Sequence, residues 1–194
     1  MGKFKLIEGS FEEIADQLLN KSYWRINGGA YRLVEIEFYL RSRGHNDMYV
    51  HADEEQKFSH KYYFHRFRNG SYKGGTFKGL DLVFGDEDTY FGILIRSILN
   101  LETDELVCGP CNVVNHVLKE CGCDSIMELT GNKCLRIRKN KHGLVLRSRV
   151  LDEEKMYCGP RIGLSKGKKY WDSKYRYCVM KERMKKEKTK LEEV

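Results

Sequence analysis

The chain has 194 residues, 41% hydrophobic and 32% charged, enough for one globular domain with a real core; this excludes an intrinsically disordered chain. No apolar run approaches the roughly 18 residues of a membrane helix. A net charge of +7 suits a polyanionic partner, nucleic acid first.

Residues 1–6, Met-Gly-Lys-Phe-Lys-Leu, carry no secretory core, and Leu6 stands where a myristoylation signal needs Ser or Thr. Ser10-Phe11-Glu12-Glu13 has the form of a capping box, and Phe11, Ile14, Ala15, Leu18 and Leu19 follow at helical spacing to about Asn20. Residues 23–26 alternate as a strand, Asn27-Gly28-Gly29 is a hairpin turn signal, and Tyr31 to Leu40 is the next strand. Its alternation places Leu33, Glu35, Glu37 and Tyr39 on one face and Val34, Ile36, Phe38 and Leu40 on the other.

Residues 41–63 are polar and aperiodic and predict a long irregular loop. Gly70 to Gly79 is a glycine-rich, aromatic loop. Leu80 to Phe84 and Phe91 to Ile98 are strand candidates, and Asn112 to Cys121 reads as a helix. Cys134 to Arg138 and Leu144 to Val150 suggest a basic hairpin, and Tyr175 to Val179 a final strand. The expectation is an α+β fold: a single domain over 1–180, with a curved antiparallel β-sheet and several short helices. A charged C-terminal tail, 181–194, follows as a frayed helix or a disordered segment.

Seven cysteines without a secretory signal fit free thiols in an intracellular, nuclear or cytoplasmic, protein. Cys108, Cys111, Cys121 and Cys123 offer a zinc set on paper. Pro110 instead starts a helix, and buried structural thiols are the expectation. His45, His51, His60 and His65 show no metal spacing. No metal, no cofactor and no membrane partner are expected, and the chain is expected to be a monomer.

Two carboxylates on one strand face beside Tyr39 suit a heterocycle pocket. Glutamates facing water, or paired with Arg32 or other cations, account for the same residues. Tyr72, Lys73, Phe77 and Lys78 in the glycine-rich loop fit contact with a nucleic-acid backbone, and a tight turn between strands fits as well. Arg136, Arg138, Lys139, Lys141, Arg147 and Arg149 form a candidate phosphate surface or a solvated basic face.

In order along the chain, Ala15-Asp-Gln-Leu18-Leu19-Asn20-Lys21, Val34-Glu35-Ile36-Glu37-Phe38-Tyr39-Leu40, the loop Gly70 to Gly85, Ile93-Leu94-Ile95-Arg96, Gly109-Pro110, Pro160-Arg161-Ile162-Gly163 and Tyr175-Arg176-Tyr177 resemble the motifs of the alkyladenine (3-methyladenine) DNA glycosylase family. The resemblance spans about residues 10 to 179. It implies a monofunctional DNA N-glycosylase of base-excision repair that hydrolyses the bond to a damaged, alkylated-purine-like base flipped out of DNA. In that family Glu37 would activate water, with Arg96 positioning carboxylate and sugar phosphate. Tyr39 and His51, or His45 in its place, would hold the base, Gly85 stands near a selectivity asparagine, and Arg161 would join the DNA contacts. Gly75 replaces a second stacking tyrosine and Lys78 a wedging one, with Phe77 the nearest aromatic. The alternatives are a catalytically diverged nucleic-acid-binding module on the same fold and a nucleoside hydrolase.

Overall fold

The computed structural model describes residues 9–194, so the expectations placed on residues 1–6 lie outside the described residues. Helix α1 spans Phe11–Leu19. Ser10 Oγ accepts from Glu13 N at 3.2 Å while Glu13 Oε2 accepts from Ser10 N at 2.7 Å, the reciprocal cap its sequence predicts. Strands β1 (Ser22–Ile26) and β2 (Gly29–Arg41) follow. The turn between them has φ of 43° at Asn27 and 104° at Gly28, the left-handed pair that matches strand twist.

The chain continues through β3 (Ser59–Phe64), β4 (Leu80–Phe84), β5 (Tyr90–Asn100), β6 (Leu106–Cys108), α2 (Pro110–Glu120), α3 (Ile126–Thr130), β7 (Val145–Ser148), β8 (Tyr157–Gly159), β9 (Arg176–Cys178) and β10 (Glu192–Glu193). The architecture is α+β, a single domain built on one curved antiparallel sheet. Strands run β10-β8-β9-β2-β5-β4-β3, and β1 joins β2 to β7. The residues between α3 and β7 close this sheet on itself. Tyr62 N donates to Leu135 O at 2.8 Å, Ile137 N to His60 O at 3.0 Å, and Leu146 N to Ile137 O at 3.0 Å. The sheet thus becomes a barrel-like ring with a seam between β3 and β7.

Strand β2 is covered on both faces. Phe38 stacks on Phe11 of α1 at 4.4 Å, and Arg32 donates to Leu19 O. On the other face Tyr31 meets His116 of α2 edge-on. Both faces therefore exclude water, and a glutamate on this strand is buried unless the packing opens.

Three expectations need correction. Residues 41–63 are not one loop: Ser59–Phe64 is a strand, hidden because Tyr62, Tyr63 and Phe64 are buried in succession rather than alternately. Residues 134–138 form no regular strand: an isolated bridge at Lys61–Arg136 and a few backbone bonds tie them to β3 and β7, so the basic segment is a seam filler, not one arm of a regular hairpin. The tail is docked, not frayed. Met184 and Leu191 are buried, β10 pairs with β8, and Arg176 donates to the carbonyls of Lys186 and Glu187. The four cysteines around α2 sit at its opposite ends, about 16 Å apart, and do not converge.

Leu191→Ala is expected to cost about 2–5 kcal/mol of stability, read by urea unfolding, because its side chain closes the core. An unchanged midpoint would mean that the tail contributes nothing.

Candidate functional site

Glu37 lies mid-β2, opposite Leu94 of β5 and Arg176 of β9. It has no exposed surface. Its Oε1 accepts from Ile162 N at 2.8 Å and sits 3.2 Å from Arg96 Nη1; its Oε2 accepts from the Tyr39 hydroxyl at 2.8 Å. The β2–β5 register shifts around Glu35, which pairs with Ser97 and leaves Arg96 out of the ladder. Such an irregularity re-aims a side chain. Here it turns Arg96 toward both glutamates, with Nε 3.3 Å from Glu35 Oε1.

Glu35 is held as tightly. Arg176 Nε donates to its Oε1 at 2.6 Å and Ser97 Oγ to its Oε2 at 2.7 Å. Two carboxylates and two guanidiniums thus neutralise one another inside the sheet, which is what makes their burial tolerable. Burial works against the Arg96 charge, but Glu37 and Glu35 outweigh it and hold Arg96 above its ordinary range. Burial, then the Glu37 carboxylate, push the Tyr39 hydroxyl well above its usual value, so it stays a proton donor to Glu37.

Two cavities flank the cluster, and Glu37, itself enclosed, lines neither: it is hydrogen-bonded to Tyr39 in the wall of one and paired with Arg96 in the wall of the other. One, about 380 Å³, is lined by Glu35, Thr76, Arg96, the start of α2 (Gly109 to Asn112), Ile162, Lys185 and Lys186. The other, about 150 Å³, is lined by Tyr39, Tyr49, His51, Gln56, His65, Asp81 and Leu164. The first is cationic at its rim and the second is walled by rings.

The structure therefore brings together Glu37, Tyr39, Arg96 and, on the far side of the Tyr39 pocket, His51. Desolvation of the ring, then the charge of His65, lowers the His51 pKa to about 4, although the residue keeps an open side. Its Nε2 lies 3.2 Å from Lys73 Nζ, which places Lys73 at the pocket. Phe77, 71% exposed, projects from the glycine-rich loop next to Thr76. Lys78 is tied to Asn115 of α2 at 2.7 Å, and Tyr72 is held inward by Arg66 and Thr130.

Two expected positions fall elsewhere. Gly85 sits at the β4–β5 turn, where a Cβ would come within 2.3 Å of the Gln56 and Thr89 carbonyl oxygens; it is a packing glycine outside the pocket. Arg161 is buried, not a DNA contact. It pairs with Asp47 through both carboxylate oxygens, donates to the Phe38 and Tyr170 carbonyls, and lies 4.5 Å over the Tyr39 ring. It covers one face of Tyr39 and leaves the other to the pocket.

Sequence reasoning missed His65, Asp81, Gln56 and Tyr49. His65 Nε2 lies 2.8 Å from Asp81 Oδ1, and Gln56 Nε2 donates to Asp81 Oδ2 at 3.3 Å. Gly79 makes room for this arrangement, since any Cβ there would come within 2.4 Å of the His65 ring. The signal was Asp81 in an otherwise apolar strand, a buried acid that demands a partner.

No family model matches the chain. The chain is similar to the uncharacterized protein L759 of Acanthamoeba polyphaga mimivirus, 46% identical over 204 residues that cover 97% of this chain and 94% of that protein.

Asp47→Ala leaves the buried Arg161 charge without its partner. It is expected to cost about 3–5 kcal/mol in denaturant unfolding. A loss below about 1 kcal/mol would show that Arg161 finds solvent and is no structural fixture.

Proposed function

The chain belongs to the same family as the mimivirus protein, and we propose that it is a monofunctional DNA N-glycosylase that excises a damaged base by hydrolysis. The observation that carries the reading is the convergence of Glu37, Tyr39 and Arg96 between an aromatic pocket and a cationic cavity. A flipped nucleotide needs that sequence of surroundings: rings for the base, a carboxylate at the sugar, cations for the phosphate.

In this reading the base enters against the open face of Tyr39, between Tyr49, His51 and His65. The sugar C1′ comes to lie near Glu37. Among the described residues its Oε2 accepts from Tyr39 alone, which leaves an acceptor position for a water. Glu37 takes a proton from that water as its oxygen attacks C1′ and the base departs with the bonding electron pair. The ionised carboxylate also stabilises positive charge building on the sugar. Lys185 and Lys186 face the flanking phosphate, and Phe77 fills the space that the base vacates in the stack.

A second reading, a nucleic-acid-binding module without catalysis, draws on one feature: Glu37 is fully enclosed. Glu37→Gln separates the two. On oligonucleotides carrying a panel of alkylated and deaminated purines, the variant is expected to lose about 10²–10⁴-fold in single-turnover base release while binding DNA as before. Equal release by Glu37→Gln sinks the mechanism, and no release from any lesion by the unaltered protein favours the binding module.

A further inference from the structure

The cavity beside Glu35 and Arg96 is not the largest. One of about 650 Å³ lies over the seam where the ring closes, lined by Ser59, His60 and Lys61 of β3, by Arg136, Arg138 and Lys139 of the closing segment, and by Arg147 of β7. Leu135 and Ile137 turn into the core, so Arg136 and Arg138 turn outward. Lys61 stands directly opposite Arg136 in the ladder, and like charges so placed repel. Lys61, Arg136, Lys139 and Arg147 form no ion pair with a carboxylate among the described residues. The fold therefore holds Lys61, Arg136, Lys139 and Arg147 from three adjacent segments around one hollow, with no carboxylate paired to them among the described residues.

We propose that this seam binds the phosphodiester backbone of a single-stranded nucleic-acid segment. Cations from neighbouring strands meet successive phosphates. Phe58, 46% exposed at the start of β3 with Lys61 Nζ 5.8 Å from its ring, supplies a face on which a base stacks. That aromatic favours nucleic acid over a free phosphate. The seam also leads to the Tyr39 pocket. Lys61, Tyr63 and His65 follow at every second position, and His65 lines the pocket about 13 Å along the backbone from Lys61. A strand with one nucleotide in the pocket reaches the seam with its next few phosphates. The inference rests on the chain being a DNA-binding protein, not on its hydrolysing anything.

The test is binding of a fluorescent 20-nucleotide single strand to the full chain across 50–250 mM salt. Lys61→Gln/Arg136→Gln/Arg147→Gln is expected to bind at least tenfold more weakly at 100 mM salt, with a log–log salt slope shallower by about 2. Arg136→Gln/Lys139→Gln, both exposed and outside the core, is expected to lower the slope by about 1 with unchanged thermal unfolding. Wild-type affinity and slope in both variants overturn the proposal. So does loss of binding to phosphatidylserine vesicles while oligonucleotide affinity holds. Base release at saturating DNA is scored separately, so a chain that cleaves nothing overturns the glycosylase reading and an unchanged slope overturns this one.

Discussion

Burying Glu35 and Glu37 two residues apart on a strand closed on both faces costs several kcal/mol per charge if nothing compensates. Compensation comes from two other strands: Arg96 on β5 contacts both carboxylates, and Arg176 on β9 contacts Glu35. The three strands must hold one register for this to work, and the shift at Glu35–Ser97 is what frees Arg96 to do so. Arg176 spends its remaining donors on the carbonyls of Lys186 and Glu187. The same network therefore fixes the C-terminal segment and sets Lys185 and Lys186 at the rim of the Arg96 cavity. Core charge, sheet register and tail position are one constraint seen from three sides.

The elements legible in the sequence were those whose signal is local. The α1 cap, the Asn27-Gly28 turn and the run around Glu37 depend on neighbours within a few residues, and the structure has them as expected. Strand β3 was missed because a strand buried on both faces shows no alternation. Arg161 was misplaced for a related reason. Its partner Asp47 is 114 positions away, and an isolated arginine in a glycine-containing segment looks like a surface phosphate contact until that partner is known.

The candidate site divides the same way. Glu37, Tyr39 and Arg96 were named from ordered motifs, and they do converge. The order of motifs places Gly75 opposite Tyr39 and so offers no wall there. The space is instead lined by Tyr49 and His51 from the residues after β2 and by His65 from the end of β3. Side chains that reach one pocket from separate segments leave no spacing to read. What a sequence does expose in such cases is the awkward residue, here Asp81 in an apolar strand, which anchors His65.

Electrostatics separates chemistry from attraction in this fold. Glu35 and Glu37 balance Arg96 and Arg176, and Asp47 balances Arg161, so the centre carries little net charge. Under the proposed function a neutral centre suits a carboxylate that approaches a sugar between phosphates, since an unbalanced anion would repel the polymer. It also means that the +7 of the chain exerts its pull from elsewhere. The seam between β3 and β7 gathers several of these cations around one hollow, on the face of β3 that continues to His65. Under the proposed function, long-range attraction is assigned to the seam and bond breaking to the balanced cluster, so each can vary without dismantling the other.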